Sequence, residues 1–169
     1  AIVLAGFGFY FAKTPFLKLE VRNQDVMTNN GEMFNAVKAL IALNKGIKII
    51  PLIGKEIHPD MLAELLNRSQ VIALRVELTK PGSHRGLGLS EEEDKVRAVI
   101  ALARKIRPGV QLIGECGIGE PEHVRQVLKM GCNGVLVNAA ITRSVDPIAA
   151  AVAFSDAVSI GESSAVNIG

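Results

Sequence analysis

The amino-acid sequence predicts an α/β protein, a (β/α)8 TIM barrel of which this chain covers roughly the last five βα units. Short β-branched runs alternate with segments of helical periodicity from Pro15 onward, a pattern typical of a parallel sheet. No GxGxxG motif follows the first run, whereas the polar or glycine-rich segments GSHRGLG, ECGIG and NAAITR follow later ones. Functional residues spread over many strand ends are typical of barrels, so an open doubly wound sheet is the weaker alternative.

The predicted strands are four to six residues long, as parallel strands usually are. They cover residues 16–21, 48–53, 71–76, 111–114 and 134–137. The segments between them carry apolar residues three or four apart together with start or stop signals, and therefore predict helices. These helices run over residues 33–44, from Pro59, from the Ser90 and Glu93 capping box to Pro108, from Pro121 to Gly131, and from Asp146 to Phe154. Residues 155–169, which end in small and polar residues, are expected to form a loose tail.

The length bears on how complete the barrel is. A full barrel takes about 250 residues, and this chain has 169. We expect a single partial-barrel domain over residues 1–169, with the first strands missing either from this sequence or from the protein itself. The apolar stretch 1–12 is too short to span a membrane and lacks the basic flank of a secretory signal, so we expect it to belong to the core.

Composition excludes several classes of protein. The chain is 49% hydrophobic and 21% charged, which is typical of a globular domain and not of a disordered one. Its 19 Lys and Arg nearly balance 17 Asp and Glu, and only 4% of residues are aromatic, so no nucleic-acid partner is expected. Cys116 and Cys132 lack metal-ligand spacing, as do the histidines, so we expect no bound metal. The cysteine pattern favours a reducing compartment.

The segment Lys18-Leu19-Glu20-Val21 carries the strongest chemical signal. Side chains alternate along a strand, so Lys18 and Glu20 share a face that points into the barrel if the apolar pair packs on the helices. A desolvated lysine loses proton affinity and can attack a ketone or aldehyde to form a Schiff base. Glu20 then either neutralises Lys18 or lies nearer the mouth as a proton donor and acceptor. An exposed edge strand is the alternative interpretation.

Two further segments follow the last two strands. Glu115 ends a buried strand, where barrel enzymes place proton-transfer groups, and the amides of Gly117 and Gly119 are candidates to approach a phosphate. Residues 138–143, NAAITR, have the length of the short helix at which barrels often bind phosphate. Each segment also fits an ordinary turn or loop.

A glycine-rich loop, residues 80–88, follows the third strand. It either folds over a substrate or only connects two elements. His84 in this loop is the histidine to watch, whereas His58 and His123 are expected on the surface.

Taken in order, these motifs resemble thiazole synthase of bacterial and plastid thiamine biosynthesis, a (β/α)8 barrel. The resemblance runs from about Thr14 to Phe154. TPFLKLEV is similar to the strand that carries the family's Schiff-base lysine, and PGSHRGLG is similar to its PIGSGxG loop. ECGIG, GCNGVLVNAAI and DP are similar, in the same order, to its DAGIG, GADGVLVNTAI and DP.

The resemblance implies roles for individual residues. Lys18 would be the imine-forming lysine, and Glu20 and Glu115 would be acid/base residues. The residues implied to line the sugar-phosphate site are Gly82, Cys116, Gly117, Asn138 and Ala139. The sequence departs from the family at three of these positions, because Glu115 replaces aspartate, Cys116 replaces alanine and Ala139 replaces threonine. A carboxylate one methylene longer makes the proton-transfer geometry less secure than the fold.

The resemblance also implies a reaction and its partners. Lys18 would attack the ketone of 1-deoxy-D-xylulose 5-phosphate, and the glutamates would move protons so that the carbonyl migrates along the sugar. A sulfur carrier protein with a C-terminal thiocarboxylate would deliver sulfur, and dehydroglycine from a further enzyme would close the thiazole phosphate ring. The implied protein is a cytoplasmic or plastid transferase that forms a homo-oligomer, without resident cofactor and without nucleic-acid or membrane partners.

Two other interpretations remain open. ECGI resembles a motif of indole-3-glycerol phosphate synthase, and AITR resembles the last loop of a sugar-phosphate epimerase, but neither explains a Lys-x-Glu strand followed by this helix. A non-catalytic partial barrel that serves as an assembly or binding module fits the short chain and the three substitutions.

Overall fold

The computed structural model describes residues 14–79 and 91–165. The strands in these ranges are β1 (Phe16–Leu19), β2 (Lys48–Ile53), β3 (Ala73–Glu77), β4 (Gln111–Glu115) and β5 (Gly134–Leu136). The helices are α1 (Asn30–Leu43), α2 (Pro59–Leu66), α3 (Glu91–Ile106), α4 (Pro121–Lys129), α5 (Ala139–Thr142) and α6 (Pro147–Ala165). The apolar stretch 1–12, the loop 80–88 with Gly82 and His84, and Ser90 of the expected capping box lie outside the described residues.

The described strands form one parallel sheet in the order β1-β2-β3-β4-β5. A doubly wound sheet reverses its strand order at a switch point, and these strands follow one another without reversal. Consecutive parallel strands joined by helices are the arrangement of an arc of a (β/α)8 barrel. The predicted fold class is therefore confirmed.

The sheet is also curled. Neighbouring strands lie about 4.8 Å apart, so a flat sheet would separate β1 from β4 by about 14 Å. Lys18 Nζ on β1 nevertheless lies 3.2 Å from Glu115 Oε1 on β4. Side chains on the inner face thus converge, as they do inside a barrel.

The outer face of the sheet is apolar and packs on the helices. Strand residues of this face and helix residues that cover it share one hydrophobic core; among them are Leu19, Ile49, Leu74, Val76, Leu112, Val37, Leu65, Ala103 and Val127. Fully burying a leucine, isoleucine or valine stabilises the fold by about 1.5–3 kcal/mol. Each element therefore turns its apolar residues to this core, and the spacing of those residues predicts the element. None of the described helices is long and apolar enough to cross a membrane.

The pairing of β2 with β3 contains a bulge. Ile49 bridges Val71, and the next pairing joins Leu52 to Arg75, so the third strand contains one residue more than the second over this interval. Pro51, which has no amide hydrogen to donate, lies in the interval. The extra residue reverses the alternation, so that Arg75 shares the face of Leu52 and not that of Val71.

The last helix corrects one expectation. Residues 155–169 were expected to form a loose tail, but α6 is helical through Ala165. Phe154 and Ala157 are buried, and Val158 packs against the core, so apolar contacts continue past the expected end. The small residues that suggested a tail are compatible with a helix once it has a surface to pack on.

Several element boundaries differ from the prediction by one to three residues, and two of them bear on the site. β1 ends at Leu19, which leaves Glu20 beyond the strand. α1 begins at Asn30, before the expected residue 33, because the Asn29 side chain accepts a hydrogen bond from Glu32 N and caps the helix.

Candidate active site

Charged side chains converge at the carboxyl ends of β1, β3 and β4. Three cations and three carboxylates form a connected set of ion pairs, which we call the charge cluster: Lys18, Glu20, Arg22, Arg75, Glu77 and Glu115. In a barrel the carboxyl ends of the strands are where active sites lie.

Lys18 pairs with Glu115 in this cluster. Its Nζ lies 3.2 Å from Glu115 Oε1, and the Glu115 side chain is 11% exposed. The sequence predicted that Glu20 would either neutralise Lys18 or lie nearer the mouth. The structure gives the counter-ion role to Glu115 and places Glu20 beyond the end of β1, which agrees with the second alternative. The Lys18 side chain is 47% exposed, so it is less desolvated than expected. Among the described strands, β1 has a neighbour only on its β2 side, which accounts for this exposure.

Arg75 is the most buried member, with 1% of its side chain exposed. Its Nη1 donates to Glu115 Oε2 and to Glu20 Oε2, the latter at 3.4 Å. Its Nη2 donates to the Leu19 carbonyl at 2.6 Å, and its Nε to the Ile50 carbonyl at 3.4 Å. One guanidinium therefore links β3 to the two preceding strands and to both carboxylates that the sequence singled out.

Arg22 and Glu77 form the second half of the cluster. Arg22 Nη1 lies 2.7 Å from Glu77 Oε1, and the Glu77 side chain is only 2% exposed. Glu77 Oε2 accepts the Thr28 amide at 3.0 Å. Arg22 Nη1 also donates to the carbonyl of Val26 at 2.6 Å. Val26 has a φ of 66°, a strained value for a β-branched residue, so this ion pair braces a tight loop after β1.

Glu20 lies between the two arginines. Arg22 Nε donates to Glu20 Oε1, and Arg75 Nη1 to Glu20 Oε2. Burial acts to raise the pKa of Glu20, but the two guanidiniums outweigh it and hold that pKa below its usual value. Burial likewise acts to lower the pKa of Arg22, and Glu20 and Glu77 raise it overall. Glu20 is therefore an ionised carboxylate at neutral pH.

The turn after β4 is left-handed at two successive residues, Cys116 (φ 74°) and Gly117 (φ 77°). This region favours glycine, so Cys116 bears a steric cost there. Burial, followed by the neighbouring Glu115 charge, raises the pKa of the Cys116 thiol to about 11. The thiol is therefore protonated at neutral pH and is a weak nucleophile.

The amide of Gly119 was a candidate phosphate ligand, and the structure gives it another partner. It donates to His123 Nδ1 at 3.1 Å, and the Glu120 amide donates to the same nitrogen at 3.2 Å. His123 was expected on the surface, but it is only partly exposed and caps the first turn of α4. Gly117, the other predicted phosphate ligand of this segment, is buried in the turn after β4.

Asn138 and Ala139 follow β5. The predicted short helix is present as α5, which begins at Ala139, and the Asn138 carbonyl accepts the Thr142 amide at 2.9 Å. Since Glu115 pairs with Leu136, Gly117 and Asn138 lie two residues beyond paired positions on adjacent strands. Both sequence-predicted phosphate segments thus leave the same edge of the sheet.

A polar cavity of about 330 Å³ adjoins the charge cluster through Glu77. The Thr28 hydroxyl at its wall is buried and has no hydrogen-bond partner among the described residues. The residues lining the cavity are Asn23, Met27, Thr28, Asn30, Gly54, Lys55, Glu56 and Glu77. Within the described ranges, no group of three His, Cys, Asp or Glu side chains is arranged to hold a metal ion.

Sequence reasoning located Lys18, Glu20 and Glu115 but missed Arg22, Arg75 and Glu77. The missed signal is that Arg75 and Glu77 repeat, in the segment Arg75-Val76-Glu77, the cation-x-acid pattern of Lys18-Leu19-Glu20. Two such segments on the inner face of one parallel sheet provide enough opposite charges to pair with each other.

Comparison with known proteins identifies similar chains. The family described as thiazole biosynthesis protein ThiG matches residues 1–167. The thiazole synthase of Pectobacterium atrosepticum is 34% identical over 149 residues, which are 88% of this chain and 52% of that protein. The thiazole synthase of Shewanella amazonensis is 33% identical over 151 residues, 88% of this chain and 51% of that protein. The chain thus spans about half the length of the curated relatives it matches.

Two solved structures are also similar to this chain. The crystal structure of the Amycolatopsis orientalis BexX/CysO complex matches with a TM-score of 0.82 and 26% identity, over 98% of this chain and 62% of that chain. The tryptophan synthase A-subunit of Pyrococcus furiosus matches with a TM-score of 0.52 and 19% identity, over 84% of this chain and 54% of that chain. The second likeness concerns the fold alone.

Proposed function

Because the chain belongs to the thiazole biosynthesis protein ThiG family, we propose that Lys18 forms an imine with the ketone of 1-deoxy-D-xylulose 5-phosphate on the way to the thiazole phosphate ring of thiamine. The observation that carries this proposal is the 3.2 Å contact between Lys18 Nζ and Glu115 Oε1. These residues lie 97 positions apart on two strands of the sheet, and the contact joins an amine to a carboxylate at the catalytic end of a barrel.

The proposed chemistry begins with the proton on Lys18. The ammonium gives this proton to Glu115, and the free amine attacks the ketone carbon. The carbonyl oxygen takes one proton from the amine nitrogen and the other from Glu115 and leaves as water, so that a protonated imine remains. The imine makes the adjacent C–H acidic, and Glu115 or Glu20 accepts that proton and returns it one carbon along, so that the carbonyl migrates.

We infer positions for the rest of the substrate from the residues around this pair. We infer that the polar cavity beside Glu77 holds sugar hydroxyls, because amide, hydroxyl and carboxylate groups line it. We infer that the phosphate binds where Cys116, Gly117, Asn138 and Ala139 leave the sheet, with Gly82 from the loop 80–88 as a further contact. Fixing the phosphate would hold the ketone beside Lys18 through successive steps.

The proposed partners follow from family membership and from the structural likeness to the BexX/CysO complex. A sulfur carrier protein delivers sulfur from its C-terminal thiocarboxylate, and dehydroglycine comes from a separate enzyme. We further propose a homo-oligomeric transferase of the cytoplasm or plastid that acts without a resident cofactor.

Borohydride trapping tests the central step. The protein is incubated with 1-deoxy-D-xylulose 5-phosphate and borohydride, and the modified peptide is identified by mass spectrometry. We expect Lys18 to gain the mass of the sugar phosphate less one oxygen, because an imine loses water and reduction adds two hydrogens. Lys18→Gln should abolish labelling, whereas Lys45→Gln, a control at an exposed turn, should not change it.

The same experiment separates the alternatives. A folded protein whose Lys18 stays unlabelled would contradict the proposal and favour a non-catalytic binding module. Indole-3-glycerol phosphate synthase activity would instead produce a fluorescent product from its own substrate, without labelling of Lys18.

A further inference from the structure

Arg75 occupies a place in the charge cluster that the reaction described above does not use. Its guanidinium is almost fully buried and donates to both proposed acid/base residues, Glu20 and Glu115. It is also fixed on the backbone, through the Leu19 and Ile50 carbonyls. Arginine presents a rigid, planar set of donors, so these four contacts determine where each carboxylate lies.

The two oxygens of Glu115 have different partners. Oε2 accepts from Arg75 Nη1, and Oε1 faces Lys18 Nζ at 3.2 Å. The two oxygens of Glu20 are divided in the same manner, with Oε2 on Arg75 and Oε1 on Arg22. Glu115 is therefore held between a fixed cation on one side and the reactive amine on the other.

We propose that Arg75 is a positioning residue that sets the reactivity of Lys18 through Glu115, an inference that rests on the proposed imine chemistry. Arg75 supplies part of the positive charge that Glu115 requires. Without that charge, the Lys18 ammonium becomes the main counter-ion of Glu115, so the ion pair between them tightens and the amine is less available to attack a carbonyl. Arg75 also fixes Oε1 in the direction of the amine.

A mutant cycle tests this role. Its members are the wild-type chain, Arg75→Gln, Glu115→Gln and the double variant, and Arg75→Lys serves as the conservative variant that keeps the charge. Arg107→Gln is the control, because Arg107 is a partly buried arginine that donates only to the carbonyls of Leu66 and Val71, at 3.1 and 2.8 Å. Circular dichroism establishes that each variant is folded.

Two rates are measured as a function of pH. The first is borohydride trapping of the sugar phosphate at Lys18. The second is reductive methylation of Lys18 by formaldehyde and cyanoborohydride, with the exposed Lys45 of the same molecule as reference. Methylation needs no sugar, so it reports on the amine even if the proposed substrate is wrong.

We expect Arg75→Gln to lower both rates at neutral pH by about tenfold and to move both pH profiles to higher pH. In the Glu115→Gln background the same substitution should change the rates by less than about twofold, because the residue through which Arg75 acts is gone. Arg75→Lys should recover part of the loss, and Arg107→Gln should leave both profiles in place.

Other outcomes overturn the proposal. Equal effects of Arg75→Gln in both backgrounds, unchanged pH profiles, or loss of folding in both Arg75 variants would each assign Arg75 a purely structural role. Failure of the proposed function has a different signature: the wild-type chain would not be trapped by the sugar phosphate, while the methylation cycle would still decide the role of Arg75.

Discussion

Two arginines near β3 are used in different ways. At the amino end of β3, Arg107 donates to the backbone carbonyls of Leu66 and Val71 and contacts no carboxylate that the structure describes. In the middle of the same strand, Arg75 lies on the inner face and contacts two carboxylates. An arginine that donates to backbone carbonyls satisfies acceptors left free at the ends of helices and strands. An arginine shared by two carboxylates compensates charges that have lost contact with water. Arg107 thus joins backbone segments, whereas Arg75 brings charged side chains together.

The largest effect is expected at Glu77, the most buried carboxylate of the charge cluster. Glu77→Gln removes the buried counter-ion of Arg22, whose side chain is itself 19% exposed. A buried charge left without any partner costs about 3–5 kcal/mol. Arg22 keeps Glu20 as a second counter-ion, so we expect a loss near the lower end of that range, measured by urea unfolding. Glu122→Gln, which breaks the exposed pair of Glu122 with Arg125 on α4, should cost less than about 1 kcal/mol. Equal losses in the two variants would show that the charge cluster is no different from a surface ion pair.

A smaller effect is expected from two glycines, one within β4 (Gly114) and one in the turn before it (Gly109). A Cβ at Gly114 would lie 2.4 Å from Val127 Cγ1, whereas a Cβ at Gly109 would meet nothing within 4 Å. Overpacking costs about 1–3 kcal/mol, so Gly114→Ala should destabilise the fold by that amount in urea unfolding. Gly109→Ala should be neutral or slightly stabilising, because it lowers the entropy of the unfolded chain. A neutral Gly114→Ala would mean that α4 shifts freely over the carboxyl end.

The smallest effect is a pH dependence at Glu20. Arg22 and Arg75 hold the pKa of Glu20 below its model-peptide value of 4.5 despite partial burial. A lowered folded-state pKa contributes stability that is present above 4.5 and is lost as the pH falls through the lower folded-state value. Wild type should therefore exceed Glu20→Gln in stability at pH 7, and the difference should shrink below pH 4.5. A difference that grows in acid would contradict this assignment.

Much of this fold follows from local patterns. The five βα units are predictable because apolar periodicity and capping residues act within one element at a time. Lys18 and Glu115 were identified for a similar reason, since each follows from its place on its own strand. Their actual pairing, in place of Lys18 with Glu20, depends on how strongly the sheet curls, which no short segment encodes.

Sequence reasoning missed Arg75 and Glu77 for a specific reason. Regular alternation along residues 71–76 places Arg75 on the face of Val71, and Val71 is fully buried in the apolar core. The bulge beside Pro51 reverses this alternation. A bulge arises from the pairing of two strands, so the pattern of one strand could not reveal it. The last turns of α6 were missed for a similar reason, because contacts of this helix with neighbouring elements, and not its own sequence pattern, stabilise them.

The bulge also decides what the barrel encloses. If the same residues continued in regular register from the Ile49–Val71 bridge, Leu74 would lie opposite Leu52 and Arg75 opposite Ile53. Arg75 and Glu77 would then point at the helices, and Leu74 and Val76 would enter the interior. Deleting one residue between Val71 and Leu74 would instead remove the bulge and leave Arg75 opposite Leu52, so a gene shortened by that one codon would still encode a polar interior.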